Sequence, residues 1–207
     1  MLSVSTLTPT LSFGSNMYIL ESGGEYAVID PSVEIMDALR RCPFDKDSLK
    51  YIIITHAHFD HFLEIDSWKK ETGAAVLVSE YDGASLADSY KNAYKVFFGV
   101  ERGYYGPYTT LSDKEEIHLG DDILTVYSTP GHTQGGICLL CGNVMFSGDT
   151  VFANGGYGRY DLPGGDYETL VASLRYLCTF DKGIKVYPGH GGPTDIAEIY
   201  SYFSNIN

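Results

Sequence analysis

The sequence predicts an α/β fold with its chemistry gathered at strand ends. Three observations point there. A β-branched run, Tyr51 to Ile54, stops in Thr55-His56-Ala57-His58-Phe59-Asp60-His61. Three further metal-capable side chains, His132, Asp149 and His190, each follow an apolar run and sit beside glycine. Short apolar runs alternate with amphipathic stretches along the 207 residues, as strands alternate with helices in such folds. Loops at strand ends are where α/β sheets place their reactive groups.

Taken in order, Met17 to Glu21 and Glu25 to Asp30 are apolar runs split by Ser22-Gly23-Gly24, a hairpin signal. Ser32 is the expected N-cap of a helix through Arg41, which Pro43 ends. Lys50 to Ile54 is the next strand. A helix is expected over Asp60 to Thr72, with Phe62, Ile65 and Trp68 or Lys69 along one side and Gly73 as its stop. Ala74 to Ser79 reads as a strand. Ala84 to Phe98 can be helical, and 99–108 is loop-like. Strands follow over Glu115 to Leu119, Asp122 to Ser128, Gly136 to Cys141 and Asn143 to Ser147. Residues 151–163 form a glycine-rich loop. Gly164-Gly165-Asp166 opens a helix to about Thr179 whose apolar face is Leu170, Val171, Leu174, Leu177 and Cys178. Gly183 to Tyr187 is a last strand, and Asp195 to Phe203 a closing helix.

The spacing of the histidines carries the chemistry. His56 and His58 are two apart, so in extended chain they point the same way and can meet one metal ion. Asp60 and His61 follow where the chain turns, so they can aim at a second point nearby. Imidazole with carboxylate suits zinc, iron or manganese. Five of the six histidines fall in such turns. The sixth, His118, alternates with Ile117 and Leu119 and should face solvent.

The balance of 44% hydrophobic and 20% charged residues is that of an ordinary globular chain. The expectation is one domain over residues 1–207. A net charge of −13 repels a phosphate backbone, which argues against nucleic acid. No apolar run reaches membrane-spanning length. Met1 to Thr10 lacks a basic region and an apolar core, so no signal peptide is read there and the cytoplasm is expected. Cys138 and Cys141 lie three apart in one apolar run, so as strand residues they face opposite sides and cannot share a metal. All four cysteines are expected reduced.

With these motifs the sequence resembles the metallo-β-lactamase superfamily of metallohydrolases. The matching segments are Thr55 to His61, Gly131-His132-Thr133, Gly148-Asp149-Thr150 and Pro188-Gly189-His190-Gly191. The resemblance implies an αββα four-layer sandwich with a two-metal site at one edge. It implies that His56, His58 and His132 hold one ion, that Asp60, His61 and His190 hold the other, and that Asp149 bridges both. It casts Asp60 and Asp149 as the catalytic carboxylates, and Asp30 as a brace for the metal loops. The segment Gly158 to Asp166 looks like that of short glyoxalase II-like hydrolases. Asp149 argues against true β-lactamases, which carry cysteine or serine there, and His58 against diiron flavoproteins.

The function so implied is hydrolysis of a small-molecule thioester or related ester by two divalent ions, zinc foremost, with iron or manganese as alternatives. Other readings are a mono-iron persulfide dioxygenase, a lactonase, and a non-catalytic metal-binding protein. Two departures from the subgroup stand out. After His190 no counterpart is expected of the C-terminal helical domain that contacts glutathione in full-length glyoxalase II. Phe62-Leu63 replaces the usual small residues and should narrow the pocket floor. Arg159 and Asp161, just after the bridging position, are expected to reach the ligands. The aromatic-rich stretch from Tyr81 to Tyr108, above all Tyr104 and Tyr105, is expected to wall the substrate pocket, and its Lys91, Lys95 and Arg102 to attract an acidic substrate.

Overall fold

Consecutive side chains of a strand leave on opposite faces, so strands apolar on both faces need cover on two sides. The protein supplies it with two sheets packed face to face and helices on each outer face. This is a computed structural model, and it describes residues 1–9 and 14–206. The elements are β1 (Ser3–Leu7), β2 (Met17–Ser22), β3 (Glu25–Ile29), α1 (Ile35–Arg41), β4 (Leu49–Ile54), α2 (Ile65–Thr72), β5 (Ala75–Ser79), α3 (Tyr94–Phe98) and β6 (Thr109–Leu111). Then come β7 (Glu116–Leu119), β8 (Asp122–Ser128), β9 (Ile137–Cys141), β10 (Val144–Gly148), α4 (Tyr167–Leu177), β11 (Lys185–Pro188), β12 (Thr194–Asp195) and α5 (Ile196–Phe203). One sheet runs β1-β2-β3-β4-β5-β6 and the other β12-β11-β10-β9-β8-β7.

Strand β4 shows how the layers form. Ile52 and Ile54 turn toward Ile35, Ala38, Ile65 and Trp68 of the helix-side core. Ile53, between them, joins Leu20, Leu124, Leu139 and Phe146 in the core between the sheets. A third cluster seats Leu170, Leu174, Ile196 and Phe203 on the outer face of the second sheet. The αββα expectation therefore holds. The two cysteines of β9 divide as their spacing requires: Cys138 lies in the outer cluster and Cys141 between the sheets. His118 is exposed between buried Ile117 and Leu119.

Several local expectations are corrected. Ser32 does not cap α1. It is buried and donates to the Ser15 carbonyl at 2.7 Å, while Glu34 accepts from Asp37 N–H at the helix start. The helix expected from Asp60 begins only at Ile65, because a 3-10 turn over Phe59–His61 swings Asp60 and His61 into the site. Its stop is as read: Gly73 ends α2 at φ +68°, a conformation glycine adopts without a Cβ penalty. The stretch 84–98 splits. Asn92 bonds Leu86 O, Arg102 O and Tyr94 N–H, Ala93 takes φ +66°, and only Tyr94–Phe98 is α-helical. The short sheet-edge strands β1, β6 and β12 carry no strand signal in the sequence pattern.

Strand ends converge on one edge of the sandwich. Asp30 follows β3, Thr55 to His61 follow β4, His132 precedes β9, Asp149 follows β10 and His190 follows β11. Among the described residues, no helix is long and apolar enough to cross a membrane.

Candidate metal centre

Each turn at this edge is shaped to deliver one side chain. At Asp149 the pairing of β10 with β11 shifts register between Phe146 and Gly148. Gly148 sits at φ +48°, and a Cβ there would come within 2.6 Å of Thr55 Oγ1. Only glycine lets the Asp149 turn lie against the histidine loop. Gly189 plays the same part before His190, since a Cβ on it would meet Asp149 Oδ1 at 2.1 Å. The N-terminal segment also reaches in. Asn16 Nδ2 donates to Pro188 O and Gly191 O, and Tyr18 O–H to Pro188 O at 2.6 Å. These bonds strap the His190 turn to the first sheet.

The seven side chains singled out in the sequence come together. His58 Nδ1 lies 2.8 Å and His56 Nε2 3.1 Å from His132 Nε2. His190 Nε2 lies 3.1 Å from Asp60 Oδ2, and His61 Nε2 lies 3.8 Å from the same oxygen. Asp149 stands between the groups: Oδ1 is 3.3 Å from His61 Nε2, and Oδ2 is 3.4 Å from His190 Nε2 and 3.6 Å from His132 Nε2. Among the described residues, three clusters could each hold a metal ion: His56, His58 and His132; His56, His61 and Asp149; and Asp60, His61 and His190.

The polar atoms test that fit. His61 Nε2 and Asp149 Oδ1 are buried and have no hydrogen-bond partner. Buried polar atoms are rarely left so, and a cation between them would satisfy both. Electrostatics divide the imidazoles: burial lowers His61 and His190, but the surrounding carboxylates, Asp149 foremost, outweigh it and hold both toward the charged form, His190 at about 9. Burial pushes the His56 and His58 imidazoles toward the neutral form, His58 to about 3, and nearby His132 adds to it. A neutral imidazole has the lone pair a metal needs. Burial opposes ionisation of Asp149 and Asp60, but His61 and His190 outweigh it and hold both carboxyls below their usual range.

Hydrogen bonds on the far side of the rings set their orientation. Asp30, at φ +52°, accepts Thr55 N–H at 2.8 Å, Thr55 Oγ1–H at 2.7 Å and His61 Nδ1–H at 2.8 Å. His132 Nδ1 donates to the Arg159 carbonyl at 2.6 Å. In both rings Nε2 is thereby left to face the cluster. A brace missed in the sequence is Asp82. It is 2% exposed and accepts Ala57 N–H at 2.9 Å, Thr133 Oγ1–H at 2.7 Å and Gly135 N–H at 2.9 Å. One carboxylate thus ties the His56–His58 loop to the His132 loop. Its only signal was an acidic residue shortly after a strand end, the same place Asp30 holds.

Arg159 reaches a ligand as expected, through its backbone carbonyl on His132 Nδ1–H, and three other expectations fail. Asp161 touches no ligand: its carboxylate is exposed and forks onto the Arg159 guanidinium, both contacts at 2.7 Å. A carboxylate two residues along an exposed loop satisfies the arginine locally. Tyr104 and Tyr105 do not line the cavity above the cluster. Tyr104 is buried with its O–H on Pro107 O, and Tyr105 is 75% exposed. Phe62 is packed in the helix-side core and does not form the pocket floor. The cavity, about 510 Å³, is walled by Phe59, Ala93, Phe97, Phe98, Phe152 and Leu162, with Arg159 at its side.

Residues 12–190 match the family described as the Metallo-beta-lactamase superfamily. The chain belongs to that superfamily. Hydroxyacylglutathione hydrolase GloC of Haemophilus influenzae is 29% identical over 197 residues, which cover 93% of this chain and 92% of that protein. The solved structure of the BLEG-1 B3 metallo-beta-lactamase superposes with a TM-score of 0.83 at 27% identity, covering 99% of this chain and 98% of the other. TTHA1623, solved in a di-iron-bound form, superposes at 0.80 with 27% identity and 98% of each chain covered. In this superfamily member, the His/Asp cluster is suited to divalent metal ions.

Proposed function

We propose that this member of the superfamily is a two-metal hydrolase of thioesters or related esters, with zinc as the best-suited ion and iron or manganese as alternatives. The observation that carries the reading is the pair of donor sets meeting at Asp149 beneath an apolar-walled cavity. His56, His58 and His132 would hold one ion, Asp60, His61 and His190 the other, and Asp149 both. When bound, such a pair supplies a water acidic enough to be hydroxide near neutral pH and a Lewis acid for a carbonyl.

The chain's own groups account for the rest. Asp60 and Asp149 are carboxylates that can accept hydrogen bonds from a water and hold it facing the cavity. The apolar walls exclude bulk water, which strengthens each charge interaction within. Apart from the proposed ligands, Arg159 is the titratable side chain among the described cavity residues, and it is too basic to serve as a general acid. That favours a leaving group needing no proton, such as a thiolate. The relatedness to GloC supports the same chemistry. A mono-iron persulfide dioxygenase needs only two histidines and one aspartate, which leaves the Asp60–His61–His190 set without a purpose. The partner would be a small molecule, not nucleic acid or membrane, and the setting the cytoplasm.

The test is elemental analysis of metal-replete protein together with turnover of a thioester, a lactone, a β-lactam and a glutathione persulfide. The expected result is two ions per chain and fastest turnover of the thioester. Oxygen consumption with the persulfide at one iron per chain would overturn the proposal.

A further inference from the structure

Resting on the two-metal reading but on no particular substrate, we propose that Asp82 is the positioning residue of one ion site alone. It sets the separation of His58 and His132, and so the affinity of the site they form with His56. The Asp60–His61–His190 set depends on other anchors.

Asp82 stands just past the end of β5. Its N–H donates to Ser79 O at 3.1 Å and its carbonyl accepts Ser85 N–H at 2.9 Å, so its backbone is fixed before the 3-10 turn over Gly83–Leu86. The carboxylate then divides its oxygens between two loops. Oδ2 accepts Ala57 N–H, from between His56 and His58, and Thr133 Oγ1–H, from beside His132. Oδ1 accepts Gly135 N–H from the same His132 loop. An ionised carboxylate can take all three bonds because it only accepts. The loop is also pressed against it: a Cβ on Gly135 would meet Asp82 N at 2.6 Å and Cγ at 2.7 Å. Gly135 does not occupy the left-handed region, so close approach is what glycine supplies there.

These two loops carry the ligands of the first site. His58 Nδ1 and His132 Nε2 face each other at 2.8 Å, with ring centroids 4.5 Å apart. Metal–ligand distances tolerate deviations of only about 0.2 Å, so a small shift of either loop spoils the span an ion must bridge. A backbone bond from Ile137 N–H to Thr55 O, 3.0 Å, joins the loops at their strand ends. Asp82 joins them beside the ligands themselves. The second set hangs elsewhere. Asp30 aims His61. Ser15 bonds the Asp60 carbonyl through its N–H at 3.4 Å and its hydroxyl at 3.2 Å. Asn16 and Tyr18 strap the His190 turn. Asp82 takes part in none of these bonds.

The experiment measures zinc affinity one site at a time, by competition against a chelator. His190→Ala isolates the first site and His58→Ala the second. Asp82→Asn is added to each. It keeps the shape of the side chain but must turn an N–H toward one of the three donors. The expected result is binding weaker by about 10–100-fold at the first site, the range for groups that orient ligands, with the second unchanged. Gly135→Ala, which pushes the His132 loop off the carboxylate, should give the same pattern. Thr133→Val removes one bond of the three and reads the effect if Asp82→Asn does not fold. Thr133→Ser keeps the hydroxyl and should bind as its parent does. An equal fall at both sites would make Asp82 a general support of the fold, and an unchanged first site would make its three bonds idle; either result overturns the inference. If wild type binds no ion, the metal reading itself fails. Asp82 is then judged in the metal-free protein by NMR. Loss of the His58–His132 ring contact in Thr133→Val, with the His61–His190 contact at 5.4 Å kept, upholds the positioning role. Retention or loss of both contacts together ends it.

Discussion

Asp30 and His61 meet at 2.8 Å, oxygen to Nδ1, with exposures of 1% and 0%. The bond orients the His61 ring and turns Nε2 toward Asp149. Asp30 also holds Thr55 by two bonds, so one carboxylate sets both the start of the histidine loop and the aim of its last histidine.

Asp30→Asn and Asp30→Ala should therefore separate. Asparagine tolerates the left-handed backbone at this position, whereas alanine does not favour it. The Asn variant should fold and lose about 10–100-fold in metal affinity, the range for groups that orient ligands. The Ala variant should also lose thermal stability. Competition against a graded chelator and a melting curve are the measurements. Wild-type affinity in both variants would refute the role.

Asp82→Ala should destabilise the protein without touching a ligand. It strips partners from the Ala57 and Gly135 N–H groups, both buried, and an unsatisfied buried donor costs about 1–3 kcal/mol. Urea denaturation of the chelated protein should show a loss of at least about 2 kcal/mol. An unchanged midpoint would mean the two loops hold without it.

Metal removal should act in two steps. Wild type should bind two ions per chain, and His190→Ala about one, because that histidine serves only the cluster with Asp60 and His61. Elemental analysis after equilibrium dialysis reads the count. Equal stoichiometry in both proteins would show that His190 is not a ligand.

The thiols should divide by burial. Cys138 is fully enclosed, and burial pushes its thiol up to about 11, so little thiolate exists at neutral pH. Cys141 is also buried, while Cys42 and Cys178 are partly open. A thiol reagent should titrate two cysteines in the folded protein and four in denaturant. Fast modification of all four in the native state would contradict this packing.

The sequence by itself determined which turns would matter. His56, His58, Asp60 and His61 lie within six positions of a strand end, and His132, Asp149 and His190 sit in glycine turns, so short-range chemistry marked them. Strand alternation likewise placed Cys138 and Cys141 on opposite faces and His118 in solvent. The family and its four-layer fold followed from those motifs. Tertiary structure decided the rest, because facing and partnership are long-range facts. Tyr104 and Tyr105 shared a composition with Phe97 and Phe98, yet only the phenylalanines line the cavity. That outcome was set by Asn92, which breaks the expected helix and aims α3. Asp161 was near the site in sequence but found its partner in Arg159, and Ser32 gave up its cap to bond Ser15. Asp82 bridges residues 25 and 51 positions away. Local pattern records what each residue can offer; only the folded chain, where two sheets bring distant strand ends to one edge, fixes which offers are taken up.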